Sequence, residues 1–488
     1  MMIGGGGGGG VTPNNHVKKR SRKNSGIGGN ENQPLLPKSH HQEDNHNHNY
    51  NNNGDFKGAS FSSAVLNLST TIIGAGIMAL PATLKVLGMV PGLITIVFMA
   101  FLTDKSVEFI IRFSRASGIT SYGDLMGEAF GRYGKALLQI SVIINNLGIL
   151  VVYMIIIGDV LSGTSSNKDH HYGILEGWFG VHWWTGRKFV LLVTTLSVIL
   201  PLVSFKRIDS LSFTSAVSIA LAVVFLVIAV GIAIVKIISG GIGMPRLFPV
   251  INDLTDFFQL FTVAPILVTA YICHYNVHNI ENEMEDSTEM HGVVRTSLGM
   301  CCSVYVLTSF FGFLLFGEET LDDVVANFDA DLGIPFGSAI NDAVRFSYAA
   351  HLMLVFPVVF FPLRINVDDL ISYSSLLSSS SWSRPSLLQD NLRFTSITVS
   401  LLLLIFVVAN FIPTIWDAFQ FTGATATVFV GFIFPAAVTL RDRYDIATKQ
   451  DKILSVMMMI LAVFSNAMAI YSDAVALVNK DKTKTLRE

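Results

Sequence analysis

The chain has 488 residues, of which 51% are hydrophobic and only 14% are charged, and its net charge is −3. A soluble domain carries about 25% charged residues, so this composition excludes an ordinary soluble enzyme. The apolar residues also fall in blocks of about 20, the length of a helix that crosses a bilayer. We therefore expect an all-α integral membrane protein that is not an enzyme, has no cofactor or bound metal and has no nucleic-acid partner.

Residues 1–56 differ from the rest of the chain by their low complexity. They contain a run of seven Gly, a basic patch at 18–23 and an Asn- and His-rich tract at 40–53. Such a segment cannot bury enough apolar surface to offset its ordering entropy, so we expect a disordered cytoplasmic tail. The His-rich tract could bind a metal ion, but a solvated polar tail is the interpretation that we favour.

Eleven apolar segments follow and are predicted to be transmembrane helices, grouped as five, five and one. They form a transmembrane domain at 57–480, followed by a short C-terminal tail at 481–488. Most Lys and Arg residues lie in the N-terminal tail and in the loops that follow even-numbered spans. The positive-inside rule then predicts a cytoplasmic N-terminus and a lumenal C-terminus. The predicted spans are 60–80, 89–111, 136–161, 188–204, 211–237, 257–276, 294–316, 340–362, 394–411, 414–438 and 453–477.

The first span is interrupted at its middle, where Gly74 and Gly76 bracket Ala75. Gly costs about 1 kcal/mol relative to Ala inside a helix. Unwound backbone at membrane depth is tolerated only where it is buried in protein or lines a wet cavity. The break therefore predicts a small-molecule site, and close helix packing through small residues is the alternative.

The sixth span opens the second set of five and is also interrupted. It contains Pro265 and a polar run at 271–276. Interrupted segments at corresponding positions of two halves are typical of secondary transporters built from inverted repeats. The second break therefore favours a binding site over simple packing at the first.

Motifs along residues 58–478 resemble those of the amino acid/auxin permease superfamily. The resemblance is to its sodium-coupled neutral amino acid transporter branch and to the plant vacuolar amino acid transporters, and residues 280–284 and 351–354 favour the plant branch. It implies a leucine-transporter-type fold, with a 5+5 inverted repeat plus one helix, and L-amino acid substrates. The motifs are Asn67-Leu68-Ser69 with 73–77, Ala264-Pro265-Ile266-Leu267 with Cys273-His274, Val344-Arg345 with 356–364, and Gly423-Ala424-Thr425 with Phe434-Pro435.

An amino acid presents a carboxylate and an ammonium group that must both be satisfied away from water. A half-helix that starts after a break offers free N–H groups and a positive dipole end to the carboxylate. Carbonyls released before each break can accept hydrogen bonds from the ammonium group. His274 has three interpretations: a proton carrier, a selector of the substrate side chain, or a structural histidine. The predicted substrate-binding residues are Thr70, Thr71, Gly74, Ala75, Gly76, Ile77, Tyr271, Cys273 and His274.

Thr70 and His351 are the candidate ion-coupling residues. Sodium needs about five or six oxygen ligands. In our alignment Thr70 stands where the sodium-coupled relatives have Asn, while Met353 and Val355 stand where they have Thr. The loss of these oxygens and the presence of an ionisable His351 favour proton coupling over sodium coupling. A histidine that only bonds neighbouring backbone is the alternative.

The N-terminal tail holds an acidic dileucine pattern made by Glu31, Leu35 and Leu36. Clathrin adaptors read an extended peptide with two apolar anchors and an upstream carboxylate, so the pattern predicts a sorting signal.

The sequence thus predicts a secondary active transporter of L-amino acids and favours neutral ones. We expect it in the vacuolar membrane, carrying substrate towards the cytosol with protons. Two alternatives stay open. One is an amino acid sensor of the same fold that signals through its tail, and the other is a plasma-membrane, proton-coupled carrier of another small acid.

Overall fold

The structure is a computed structural model that describes residues 58–165, 170–328, 336–376, 387, 389–412 and 424–485. The predicted tail at 1–56, with its dileucine pattern, lies outside these residues. Within the described part the chain is almost entirely helical, apart from two short strands, β1 (Thr164–Ser165) and β2 (His170–His171), which pair antiparallel.

The helices follow one another with short connections. In chain order they are α1 (Phe61–Ile72), α2 (Gly76–Leu87), α3 (Met89–Ser117), α4 (Tyr122–Ser162), α5 (Ile174–Phe179), α6 (Arg187–Thr194), α7 (Leu200–Val203), α8 (Ser212–Ile238), α9 (Leu254–Gln259), α10 (Val263–Tyr271), α11 (His274–Glu281), α12 (Met290–Phe316), α13 (Val324–Asn327), α14 (Gly337–Leu376), α15 (Asn391–Phe411), α16 (Ala424–Val428), α17 (Phe434–Arg441) and α18 (Lys449–Thr485). Short 3₁₀ or π turns join several of them, at Thr195–Ile199, Asp209–Leu211, Leu260–Thr262, Ser287–Glu289, Gly317–Glu319 and Phe429–Ile433.

Each predicted span overlaps one or more of these helices, so the all-α integral membrane class is confirmed. Among the described residues, seven helices are long and apolar enough to cross a bilayer, and the bent pair formed by α1 and α2 adds an eighth. The remaining predicted spans coincide with α3, with the run from α6 to α7 and with the run from α16 to α17. The count of eleven and the inverted repeat therefore remain proposals.

Two helices differ in extent from the sequence prediction. α4 begins well before the predicted third span because it includes a short additional helical segment at its start. This segment ends at Gly131, where the helix is interrupted by a φ of +69°. Gly accepts this left-handed conformation without the steric cost that a side chain would add. The last helix, α18, continues to Thr485, into the predicted C-terminal tail.

Both predicted interruptions are present. α1 ends at Ile72 and α2 begins at Gly76, and the two half-helices are bent by 54°. α10 ends at Tyr271, and α11 begins at His274 after two residues that leave the helical conformation. We call these the first break and the second break. α12 packs against α1 and α2, while α14 packs against α4 and α8, so the breaks lie inside the bundle.

Candidate functional site

A cavity lies where the two breaks meet α4. Its volume is about 20 Å³. A cavity of that kind holds water-sized molecules and must widen for a larger ligand. The lining residues are Thr71, Ile72, Gly74, Ala75, Gly76, Ile149, Val152, Tyr153, Thr269, Ile272 and Tyr275.

The lining combines three kinds of group. The first break contributes backbone and small side chains, while α4 contributes apolar side chains from Ile149 and Val152. Hydroxyl groups come from threonines and tyrosines, and none of the lining residues carries a charge. The cavity can therefore offer hydrogen bonds to a polar ligand and an apolar wall to its remainder.

Tyr153 of α4 closes over the first break at Gly74. Its hydroxyl faces the backbone of Ala75. A Cβ atom added to Gly74 would overlap that hydroxyl oxygen. Gly74 is therefore needed for the close approach of the tyrosine to the unwound backbone.

Gly76 meets the other interrupted helix. A Cβ atom at Gly76 would lie 2.8 Å from Cα of Ala270 and 3.0 Å from its Cβ. The small residues of the first break were predicted either to form a ligand site or to allow close helix packing. Both apply at Gly76, which lines the cavity and also lets α2 pack closely on α10.

Asn276 of α11 links the second break to the first. Its Nδ2 donates to Thr71 Oγ1 and to the carbonyl of Val358, both at 3.0 Å. Val358 lies four residues before Pro362, which has no N–H to pair with that carbonyl. The proline in α14 thus frees an acceptor, and Asn276 uses it to hold α11 against α1.

His351 of α14 lies fully buried beside the first break. Its Nδ1 is 2.8 Å from the carbonyl oxygen of Ser218 and 2.9 Å from the Ser218 hydroxyl on α8. Its Nε2 faces the carbonyl of Ile73, but completes no hydrogen bond with a described residue. Because a carbonyl only accepts, Nδ1 carries the proton of the neutral ring, and Nε2 is then a second acceptor opposite a carbonyl.

The predicted site residues divide into two groups. Four of them, Thr71, Gly74, Ala75 and Gly76, line the cavity. The others are buried outside its wall: Thr70, Ile77, Tyr271, Cys273 and His274.

Two of the residues outside the wall are bonded to neighbouring helices. The hydroxyl of Thr70 donates to the carbonyl of Ser215 on α8 at 3.2 Å. Nε2 of His274 lies 2.6 Å from the hydroxyl of Ser106 on α3. Ser106 already donates to the Thr103 carbonyl at 3.0 Å, so His274 is the donor of that pair. Of the three interpretations of His274, this contact favours the structural one.

Sequence reasoning missed several lining residues, Tyr153, Thr269 and Tyr275 among them. Tyr153 stands alone as a polar side chain in the otherwise apolar stretch 147–157, and this could have marked it. Tyr275 lies in the polar run 271–276, from which Tyr271, Cys273 and His274 were predicted instead.

The fold and the cavity together define a class: a multi-span helical membrane protein with an uncharged ligand cavity between two interrupted helices. Residues 57–478 match the model of the family described as transmembrane amino acid transporter protein. The amino acid transporter AVT6A of Arabidopsis thaliana is 60% identical over 461 residues, which cover 94% of this chain and 97% of the relative.

Two more distant similarities extend this comparison. The sodium-coupled neutral amino acid symporter 2 of Danio rerio is 29% identical over 417 residues, which cover 78% of this chain and 75% of the relative. The crystal structure of the Eremococcus coleocola manganese transporter aligns with a TM-score of 0.48 at 13% identity, covering 86% of this chain and 88% of that one. The chain belongs to the transmembrane amino acid transporter protein family. It is thus a multi-pass membrane transporter of amino acids and not an enzyme.

Proposed function

We propose that this protein is a secondary active carrier of neutral L-amino acids, coupled to protons, in the vacuolar membrane. Eleven transmembrane helices arranged as a leucine-transporter-type 5+5 inverted repeat plus one are part of the proposal. The observation that carries it is the cavity between the two breaks, lined by unwound backbone, hydroxyl groups and apolar side chains. Net movement is towards the cytosol.

The lining supports a neutral zwitterion as the substrate. The N–H groups at the start of α2, around Gly74 and Ala75, suit a carboxylate, since a helix N-terminus stabilises an anion. Ile149, Val152 and Ile272 offer an apolar surface to the substrate side chain. A charged side chain would lose its water at this wall without gaining a partner, which is costly.

His351 supports coupling to protons. The neutral ring has one N–H, and the Ser218 carbonyl takes it. Protonation adds a second N–H on Nε2, which faces the Ile73 carbonyl at the first break. The charged ring would then bridge α8 and the break, so the protonation state of His351 acts on the conformation of the substrate site.

The side chains near the first break are less suited to sodium. Thr70 uses its hydroxyl on the Ser215 carbonyl. Met353 and Val355 have no side-chain oxygen, whereas a hard cation prefers several oxygen ligands.

The purified chain in liposomes tests the proposal. We expect uptake of L-alanine driven by a pH gradient in sodium-free buffer, and His351→Gln should remove most of that response while substrate exchange continues. His278→Gln is the matched control, because His278 is also buried and bonded to a serine, Ser114, at 2.7 Å. An absolute requirement for sodium would reject proton coupling. Binding of amino acid without uptake would favour the sensor.

The vacuolar location is proposed from the resemblance to plant vacuolar transporters and from the dileucine pattern in the N-terminal tail. Leu35 and Leu36, with Glu31 upstream, would supply the adaptor contact. Burying two leucines is worth about 3–5 kcal/mol before ordering costs. Replacing both with Ala should move a tagged protein to the plasma membrane and leave transport intact, and unchanged vacuolar fluorescence would reject the dileucine as the signal.

A further inference from the structure

Tyr305 of α12 lies between the two breaks. Its hydroxyl oxygen is 2.6 Å from the carbonyl oxygen of Ile72 and 2.8 Å from that of Ala270. Ile72 is the last residue of α1, and Ala270 is the penultimate residue of α10. Tyr305 is fully buried, and its ring packs edge-on against Tyr271 with centroids 5.0 Å apart. One hydroxyl thus contacts the carboxyl ends of both half-helices.

Among the described residues, the two carbonyl acceptors at this point share only one hydrogen-bond donor, the hydroxyl of Tyr305. The last carbonyls of a helix have no partner within the helix, and the helix dipole places about half a negative charge at that end. A tyrosine hydroxyl has a single proton. It can donate fully to Ile72 or to Ala270, but not to both at once. The cluster therefore has room for one more hydrogen-bond donor.

We propose that Tyr305 is a positioning residue for the substrate ammonium group. The inference rests on the proposed function and deepens it. Tyr305 holds the two carbonyls at one point, and the ammonium group supplies the missing donor to the Ile72 carbonyl. Ile72 lines the cavity, whereas Ala270 and Tyr305 do not. With the ligand bound, the hydroxyl is free to donate to Ala270 alone.

This role makes the hydroxyl of Tyr305 and the N–H groups of the ligand interdependent. A hydrogen bond that involves a charged group is stronger than one between neutral groups, so the coupling should reach about tenfold in affinity. A purely structural hydroxyl would change the affinity of every ligand by the same factor. The two cases separate in a cycle that varies the protein and the ligand together.

The ligands of the cycle are L-alanine and its N-methyl, N,N-dimethyl and N,N,N-trimethyl derivatives, measured by competition against L-alanine uptake in liposomes. The wild-type protein should bind the N-methylated ligands much more weakly than L-alanine, and more weakly with each N–H group that is lost. Tyr305→Phe keeps the ring but no longer holds the Ile72 carbonyl in place for the ammonium group, so it should reduce this discrimination by about tenfold. An equal shift for all four ligands would overturn the inference.

Tyr122→Phe is the matched control. Tyr122 is also buried, and its hydroxyl donates to the carbonyl of Val430 at 2.9 Å. The variant loses the same kind of hydrogen bond away from the cavity lining. It should lower thermal stability to a similar extent and leave the discrimination among the four ligands unchanged. A loss of discrimination equal to that of Tyr305→Phe would also overturn the inference.

A second variant keeps the test decisive if Tyr305→Phe does not fold. Tyr305→4-aminophenylalanine has nearly the same shape and carries two N–H donors, so both carbonyls can be satisfied without a ligand. We expect a stable protein with a raised KM for L-alanine and weak discrimination against N-methylation. Wild-type discrimination in this variant would overturn the inference. If the wild-type protein itself showed no uptake, the proposed function would fail first.

Discussion

The two breaks solve the same packing problem with glycines in different places. In the first break the glycines belong to the unwound segment, where Gly74 meets Tyr153 and Gly76 meets Ala270. Neither Gly74 nor Gly76 has a positive φ, so close approach and not backbone conformation requires them. The second break has no glycine, and the glycine that makes room for it is Gly431 on the neighbouring π turn.

The neighbours of Gly431 show how the second break is accommodated. A Cβ atom at Gly431 would lie 3.2 Å from Cδ1 of Ile272 and 3.3 Å from Cγ1 of Val268. These atoms are the ends of side chains, whereas Gly76 meets backbone. The comparison teaches that a glycine in an interrupted helix marks a close contact, and that the contact can also be provided by a glycine on the opposite element.

The largest effect is expected at the first break. Gly74→Ala and Gly76→Ala should each reduce uptake to near background while the protein still reaches its membrane. Adding Tyr153→Phe should partly restore uptake to Gly74→Ala, because it removes the overlapping oxygen, but should not help Gly76→Ala, which meets the backbone of Ala270. Uptake assays with matched surface expression measure this.

The control for these variants is Gly299→Ala in α12. Apart from its chain neighbours and the backbone of its own helix, no described atom lies within 4 Å of a Cβ atom at that position, so uptake should be unchanged. If Tyr153→Phe rescued both Gly74→Ala and Gly76→Ala, or neither of them, the explanation by different contacts at the two glycines would be wrong.

A smaller effect is expected at the second break. Gly431→Ala should lower uptake about three- to tenfold, which corresponds to about 1 kcal/mol, the lower end of the range typical of overpacking, because the contacted side-chain ends can yield. Ile272→Val shortens the contacted side chain and should relieve most of the loss. Gly231→Ala is the control, because no described atom beyond its chain neighbours and its own helix backbone lies within 4 Å of a Cβ atom there. A loss as complete as that of Gly76→Ala would remove the distinction between the two breaks.

The smallest effect concerns α13, which packs against α2 beyond the first break. Asp323 caps α13 by accepting a hydrogen bond from the N–H of Val325 at 2.9 Å. Burial raises the pKa of Asp323 to about 6. The folded protein holds this proton more tightly than the unfolded chain does. The resulting stabilisation is therefore complete below about pH 4 and is lost as the pH rises through about 6.

Asp323→Asn keeps the capping acceptor and removes the titration. The Tm measured in detergent should then fall less between about pH 5 and about pH 7.5 than it does in the wild-type protein. The difference between the two decreases should be about 1–2 °C. Asp253→Asn is the control, because Asp253 caps α9 in the same way at 2.8 Å. An unaltered pH slope in Asp323→Asn would exclude this carboxyl group as its source.

The first break was more predictable than the second. Gly-Ala-Gly inside an apolar block is a local signal, and all three of its residues line the cavity. In the second break the polar run 271–276 indicated the position correctly, but not which members face the ligand. There Tyr275 lines the cavity, while His274 is bonded to Ser106 on α3 and Asn276 to Thr71 on α1.

The sequence by itself determined the membrane class, the family, the approximate helix positions and the two interruptions. These depend on apolar block length, glycine and proline, which act within one segment. Only the tertiary structure decided that Tyr153 closes over Gly74, that Tyr305 joins the two breaks and that His351 faces Ile73. Successive helical residues differ in direction by about 100°, so the side chain that reaches the cavity depends on the dihedral angles at the break and on the helices packed around it.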